Sequence, residues 1–86
     1  MIITDVRIRS VDGQNRLKAV ASITIDGVFA VHELRIIEGK NGLFVAMPSR
    51  QSNDGTFRDI AHPINAETRK MIEDAVIKKY NEEVGN

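Results

Sequence analysis

From Ile2 to Val11 apolar and polar residues alternate. Ile2, Thr4, Val6 and Ile8 fall on one face, and Asp5, Arg7 and Arg9 on the other. That two-residue period predicts a half-buried strand. The same pattern returns from Arg16 to Asp26, with Leu17, Ala19, Ala21, Ile23 and Ile25 inward and Lys18, Ser22 and Thr24 outward. Asp12-Gly13-Gln14-Asn15 between them has turn chemistry, and Asp26-Gly27 predicts a type I′ hairpin turn. The third run, Val28 to Ile37, changes phase: Phe29 and Val31 fit one face, Leu34 and Ile36 the other. A bulge near His32-Glu33 reconciles the two, as does burial of both faces. Three hairpin-linked strands make an antiparallel meander.

A turn-rich loop, Glu38 to Gly42, leads into the most informative stretch, Gly42 to Asn65. It reads as two short apolar strands, Leu43–Met47 and Phe57–Ala61. A polar loop around Arg50 and Asp54-Gly55 joins them, and Pro48 stops the first. That loop holds a basic residue out between strands, where it can touch an anion without disturbing a core. The period then changes. Pro63 ends strand character and Asn65 is a good N-cap for a helix to about Glu83, with Glu67 favourable near its positive end. Ile72, Val76 and Tyr80, with Thr68 and Ala75 alongside, form one apolar stripe. Arg69–Glu73, Lys70–Asp74 and Asp74–Lys78 are candidate i,i+4 pairs on the outer surface, and Gly85 can end the helix. Strands followed by one terminal helix predict the α+β class: a three-stranded meander, two further short strands and one C-terminal helix, in a single domain over residues 1–86.

Length and charge narrow the picture. An 86-residue chain without cysteine buries only about 60–65% of the surface its unfolded form exposes, and no disulfide compensates. Such a chain gains from pairing with a second copy, which buries apolar surface the monomer leaves exposed. The absence of cysteine suits a reducing cytoplasm. The N-terminus is charged and lacks a long apolar run, so neither a signal peptide nor a membrane contact is expected. Lys and Arg together number 12, as do Asp and Glu, so affinity for a polyanion must come from local arrangement rather than net charge.

Candidate chemistry is sparse. His32 and His62 have no second ligand-type residue at i+3 or i+4, and both read as structural. Ser49 lacks a nucleophile elbow. Gly39-Lys40-Asn41-Gly42 lacks the spacing of a phosphate loop. No acid, base and nucleophile set assembles, so an enzyme is not expected. The basic residues are different. In a hairpin turning at 12–15, Arg7, Arg9, Arg16 and Lys18 align as four cations on one sheet surface. Arg35, Arg50 and Arg58 add to that field or form another. The opposing reading is a solvated face neutralised by Asp5, Asp26 and Glu33.

Four blocks of sequence then carry a resemblance: Thr4-Asp5-Val6-Arg7; Lys18 to Thr24; Gly42-Leu43-Phe44-Val45-Ala46-Met47-Pro48-Ser49; and Phe57-Arg58-Asp59-Ile60-Ala61-His62-Pro63-Ile64-Asn65. With Val31-His32 they cover nearly the whole chain. The chain resembles the SpoVG family, the stage V sporulation protein G or septation-protein family of bacteria. The resemblance implies a cytoplasmic, non-enzymatic regulator without a cofactor that forms a homodimer, binds DNA and RNA, and influences gene expression, septation and sporulation. It implies a sheet-plus-helix fold, with strands after the meander helping to build the dimer. The family's Lys-Arg pair after Met-Pro-Ser, in the loop implicated in nucleic-acid contact, is Arg50-Gln51 here, and the usual Thr-Pro is Ser52-Asn53. Many relatives also continue with an acidic tail. The nucleic-acid-binding candidates are Arg50, Gln51, Arg58, Arg7, Arg9 and Lys18. The alternative is an interaction module that regulates septum formation through a regulatory or division protein.

Overall fold

The computed structural model describes residues 1–11 and 16–84. Its elements are β1 (Ile3–Ser10), β2 (Leu17–Ile25), β3 (Phe29–Gly39), β4 (Gly42–Ala46), β5 (Ser49–Gln51), β6 (Phe57–Asp59) and α1 (Ala66–Val84). The first four strands form an antiparallel sheet in the order β1-β2-β3-β4, and β5 and β6 form a separate two-stranded ribbon. The α+β architecture is the one the sequence pattern predicts. The expected turn at Asp12–Asn15 and the helix stop at Gly85 lie outside the described residues.

Local chemistry accounts for most of the sheet. Asp26 and Gly27 both take positive φ, 53° and 70°, as a type I′ turn requires, and the Val28 amide closes the turn on the Ile25 carbonyl at 3.0 Å. The phase change in β3 is a bulge. Ala21 pairs with Leu34 and Ile23 with Val31, so two residues on β2 span three on β3, and Glu33 absorbs the extra residue at φ 69°. This lets Val31 and Leu34 face the same side. At Gly39 an added Cβ would lie 3.1 Å from the Phe44 ring, which favours glycine where β3 turns into β4.

Three expectations need correction. In β1 a register shift between Ile3 and Asp5 puts Ile3, not Ile2 or Thr4, against the core with Val6 and Ile8. Thr4 instead accepts the Gly27 amide at 2.9 Å, and Ile2 donates its amide to Asp26 at 2.8 Å. In β2 a second shift between Leu17 and Ala19 takes Leu17 out of the inward row. The predicted polar loop also contains a strand. Ser49–Gln51 pairs with Phe57–Asp59, and strand structure ends at Asp59 rather than Ala61. Apolar alternation could not reveal this ribbon, because Arg50, Gln51 and all three β6 residues are exposed.

The core lies between one sheet face and α1. It holds Ala19, Ala21, Ile23, Leu34, Ile36, Val45 and Met47 from the strand side, and Ile72 and Val76 from the helix. Alanines at two central β2 positions leave room for α1, which contacts β1, β4 and β2. The helix starts as the sequence pattern predicts. Asn65 Oδ1 accepts the Thr68 amide at 2.7 Å, satisfying one of the free N–H groups of the first turn. Tyr80 packs beside the core, as does Ile77, which the predicted stripe omitted. Of the predicted i,i+4 pairs, Lys70–Asp74 forms at 3.1 Å, joined by Lys79–Glu83 at 3.5 Å.

Leu34 is fully buried in this core. Leu34→Ala is expected to cost about 2–5 kcal/mol, a large share of the total for so small a domain. Urea denaturation measures it, and an unchanged midpoint would contradict this account of the core.

Candidate functional site

The sheet covers only one of its faces with a helix, so its charged side chains divide between two places. On the uncovered face of β1, Arg7 lies opposite Ser22 and Arg9 opposite Val20. Arg7 Nε is bonded to Asp5 at 3.1 Å. The expected four-cation cluster does not assemble. Lys18 sits at the shift between Leu17 and Ala19 and pairs with Glu38 of β3 at 3.2 Å, while Arg16 stands just before β2. Of the acidic residues expected to neutralise that face, Asp5 does so. Asp26 is committed to the Ile2 amide.

The second place is the ribbon. Its register pairs Ser49 with Asp59, Arg50 with Arg58, and Gln51 with Phe57. Strand alternation therefore puts both guanidinium groups on one face and the other two pairs on the opposite face. Side chains directly opposite on antiparallel strands have Cβ atoms about 4.5–5.5 Å apart, and like charges there repel. None of the ion pairs among the described residues includes Arg50 or Arg58. Arg50, Gln51, Ser52, Asn53, Arg58 and Ile60 line a shallow depression of about 380 Å³. The ribbon thus brings together three of the six candidate residues, Arg50, Gln51 and Arg58. Arg7 and Arg9 form a separate strip, and Lys18 is drawn off by Glu38.

Two devices fix the ribbon. Arg35 of β3, a residue the sequence marks only as another cation, donates from Nη2 to the Met47 carbonyl at 3.1 Å and to Ser49 Oγ at 3.2 Å. It therefore anchors the entry to β5. The Ile60 amide bonds the Pro48 carbonyl at 2.8 Å and ties the other end. At the tip, where Ser52-Asn53 occurs, the Ser52 amide donates to the Thr56 carbonyl at 2.7 Å and the Gly55 amide to the Ser52 carbonyl at 3.0 Å. The Thr56 hydroxyl and amide both donate to Asp54 Oδ1, at 2.7 and 3.1 Å.

The histidines have simple partners. His62 Nδ1–H donates to the Pro63 carbonyl at 3.0 Å, and His32 Nδ1 lies 2.9 Å from Ser22 Oγ. Among the described residues no group of three or more His, Cys, Asp or Glu is placed to hold a metal ion. None of the described helices is long and apolar enough to cross a membrane.

Fold and site together define a small α+β domain that carries a fixed, basic two-stranded ribbon. Comparison with known proteins places it further. The SpoVG family model matches residues 1–82, and the chain belongs to that family. The protein named "Putative septation protein SpoVG" in Agathobacter rectalis is 56% identical over 86 residues, covering 100% of this chain and 99% of the relative. The protein of the same name in Acetivibrio thermocellus is 60% identical over 80 residues, 93% of this chain and 85% of the relative. Its namesake in Clostridioides difficile is 56% identical over 82 residues, 95% and 89% of the two chains.

Hydrogen bonds from the Thr56 hydroxyl, then from its amide, hold the Asp54 carboxyl below the ordinary carboxylate range. Because the folded value is lowered, these bonds are intact above the ordinary value and are lost as pH falls through the lowered one. The Thr56 amide resonance is expected to titrate with a midpoint below about 3.9, the ordinary Asp value, and Asp54→Ala to remove that transition. A midpoint at or above the ordinary value would contradict the assigned tip geometry.

Proposed function

We propose that this chain is a homodimeric, non-enzymatic regulator that binds DNA and RNA through the β5–β6 ribbon and acts on gene expression, septation and sporulation. The observation that carries the reading is the Arg50–Arg58 pair: two guanidinium groups directly opposite on an exposed ribbon, outside the ion pairs among the described residues. A folded chain gains nothing from that repulsion on its own. A phosphate between the two cations turns it into two charge-assisted hydrogen bonds. Gln51 adds a neutral amide at the same ribbon, where the family pattern has a second cation. Phosphate contacts of this kind position a strand without reading its bases, so binding is salt-dependent and modestly sequence-selective.

Pairing with a second copy is supported by exposed apolar surface. Phe57 is 67% exposed, Ile60 66% and Ile64 89%, and the ribbon's principal contacts are internal. A two-stranded ribbon is marginally stable alone, so a partner subunit against it supplies what the monomer lacks. Two ribbons on one assembly double a local positive field that the balanced total charge would otherwise hide. The septation role rests on the names of the relatives. The same apolar surface supports the second reading, in which a division or regulatory protein is the partner. A pull-down after nuclease treatment separates the two: recovery of a division or regulatory protein favours the second, and its loss with the nucleic acid favours the first.

Arg50→Ala and Arg58→Ala are each expected to weaken binding of single-stranded oligonucleotide. Each should lower the salt slope by about 0.7 per lost contact per subunit. Removing one of two opposed like charges should leave folding stability unchanged or slightly higher. Affinity unchanged across a salt series in both variants would sink the assignment of the ribbon.

A further inference from the structure

The sheet face that α1 leaves uncovered carries a polar site that the ribbon does not use. Arg7 and Ser22 are cross-strand partners, and the bulge in β3 sets His32 and Glu33 opposite Ser22. Arg7, Arg9, Ser22, His32 and Glu33 line a depression of about 300 Å³. We propose that this depression is a second phosphate-binding site for the same nucleic-acid strand, with His32 and Ser22 as its recognising pair and the proton on His32 setting its affinity. The proposal rests on the nucleic-acid reading of the ribbon.

The charges that face the imidazole explain the dependence on its proton. From β1 come Arg7, Arg9 and Asp5, the last bonded to Arg7. From β3 comes Glu33. Lys18 is tied to Glu38, Arg35 reaches away to Met47 and Ser49, and α1 packs on the opposite face. Two guanidinium groups are thus set against two carboxylates, and with a neutral ring the site has no net charge. Protonating His32 makes it cationic.

Hydrogen bonding points the same way. Ser22 Oγ and His32 Nδ1 are 2.9 Å apart. A neutral ring has one nitrogen as donor and one as acceptor. Either Nδ1 accepts a hydrogen bond from the Ser22 hydroxyl, which is then not free to donate to a ligand, or Nδ1–H donates to Ser22 Oγ and Nε2 presents a lone pair that repels an anion. Once the ring is charged, Nδ1–H donates to Ser22 Oγ. The serine hydroxyl proton is then released for the ligand, and Nε2–H becomes a second donor. One proton therefore supplies a charge and completes the donor set. Imidazole is the side chain whose ordinary titration falls between pH 5 and 8.

The test compares binding of a rhodamine-labelled oligothymidylate to the full chain at pH 5.5 and pH 7.5, at one low salt concentration. Both values lie above the ordinary carboxylate range. The wild type is expected to bind about fivefold more tightly at the lower pH, the factor that one unit charge at contact distance is worth in water. His32→Gln should abolish the ratio and His62→Gln should keep it. If the wild type binds at pH 7.5 but shows no ratio, or if His32→Gln retains it, this site is overturned and the ribbon assignment stands. Failure of the wild type to bind at either pH overturns both.

Discussion

One helix can cover only one face of a four-stranded sheet, and that asymmetry organises the molecule. Ile72 and Val76 of α1 close over Ala19, Ala21, Leu34, Ile36 and Val45, and the two alanines let the helix come close. The apolar residues of β1 to β4 that face α1 are spent on this contact. What remains exposed is the uncovered sheet face, the ribbon beyond β4, and separate apolar side chains such as Phe29, Phe57 and Ile64.

The ribbon is unusual because no ion pair among the described residues rewards its arrangement. Its backbone pairing puts Arg50 against Arg58, and the anchoring bonds from Arg35 to Met47 and Ser49 keep it there. On the proposed reading, two like charges held in register are costly in isolation and useful to an anionic ligand, because the geometry of the pair exists before a phosphate arrives and less order is lost on binding. Net charge gives no hint of this, since 12 acidic residues across the chain offset the 12 basic ones.

How much of this was legible in the sequence depended on burial. Where one face is buried, alternation reports it, and the strands around Val6, Ile23 and Leu34 follow from the pattern. The conflict of phase between Val31 and Leu34 even located the bulge at His32-Glu33. Asn65 named the helix start, because capping is local chemistry. The register shifts at Ile3 and at Leu17 were not legible, since a one-residue slip leaves composition unchanged and depends on the facing strand. Alternation alone therefore puts Thr4 inward and sets Lys18 with Arg7 and Arg9, whereas the register ties Lys18 to Glu38. The β5–β6 pairing was hidden for a different reason: an exposed ribbon is held by backbone bonds and carries no apolar signature. The sequence offers Arg50, Gln51 and Arg58 as candidates, but only the ribbon's register shows that the two arginines oppose each other.

The most direct measurement is chemical-shift mapping of the wild-type protein as a single-stranded oligonucleotide is added at low salt. The account predicts that the largest perturbations fall on Ser49–Gln51 and Phe57–Asp59, including the Arg50 and Arg58 side-chain resonances, and fade as salt is raised. Perturbations confined to α1, or none on the ribbon at saturating oligonucleotide, would contradict it.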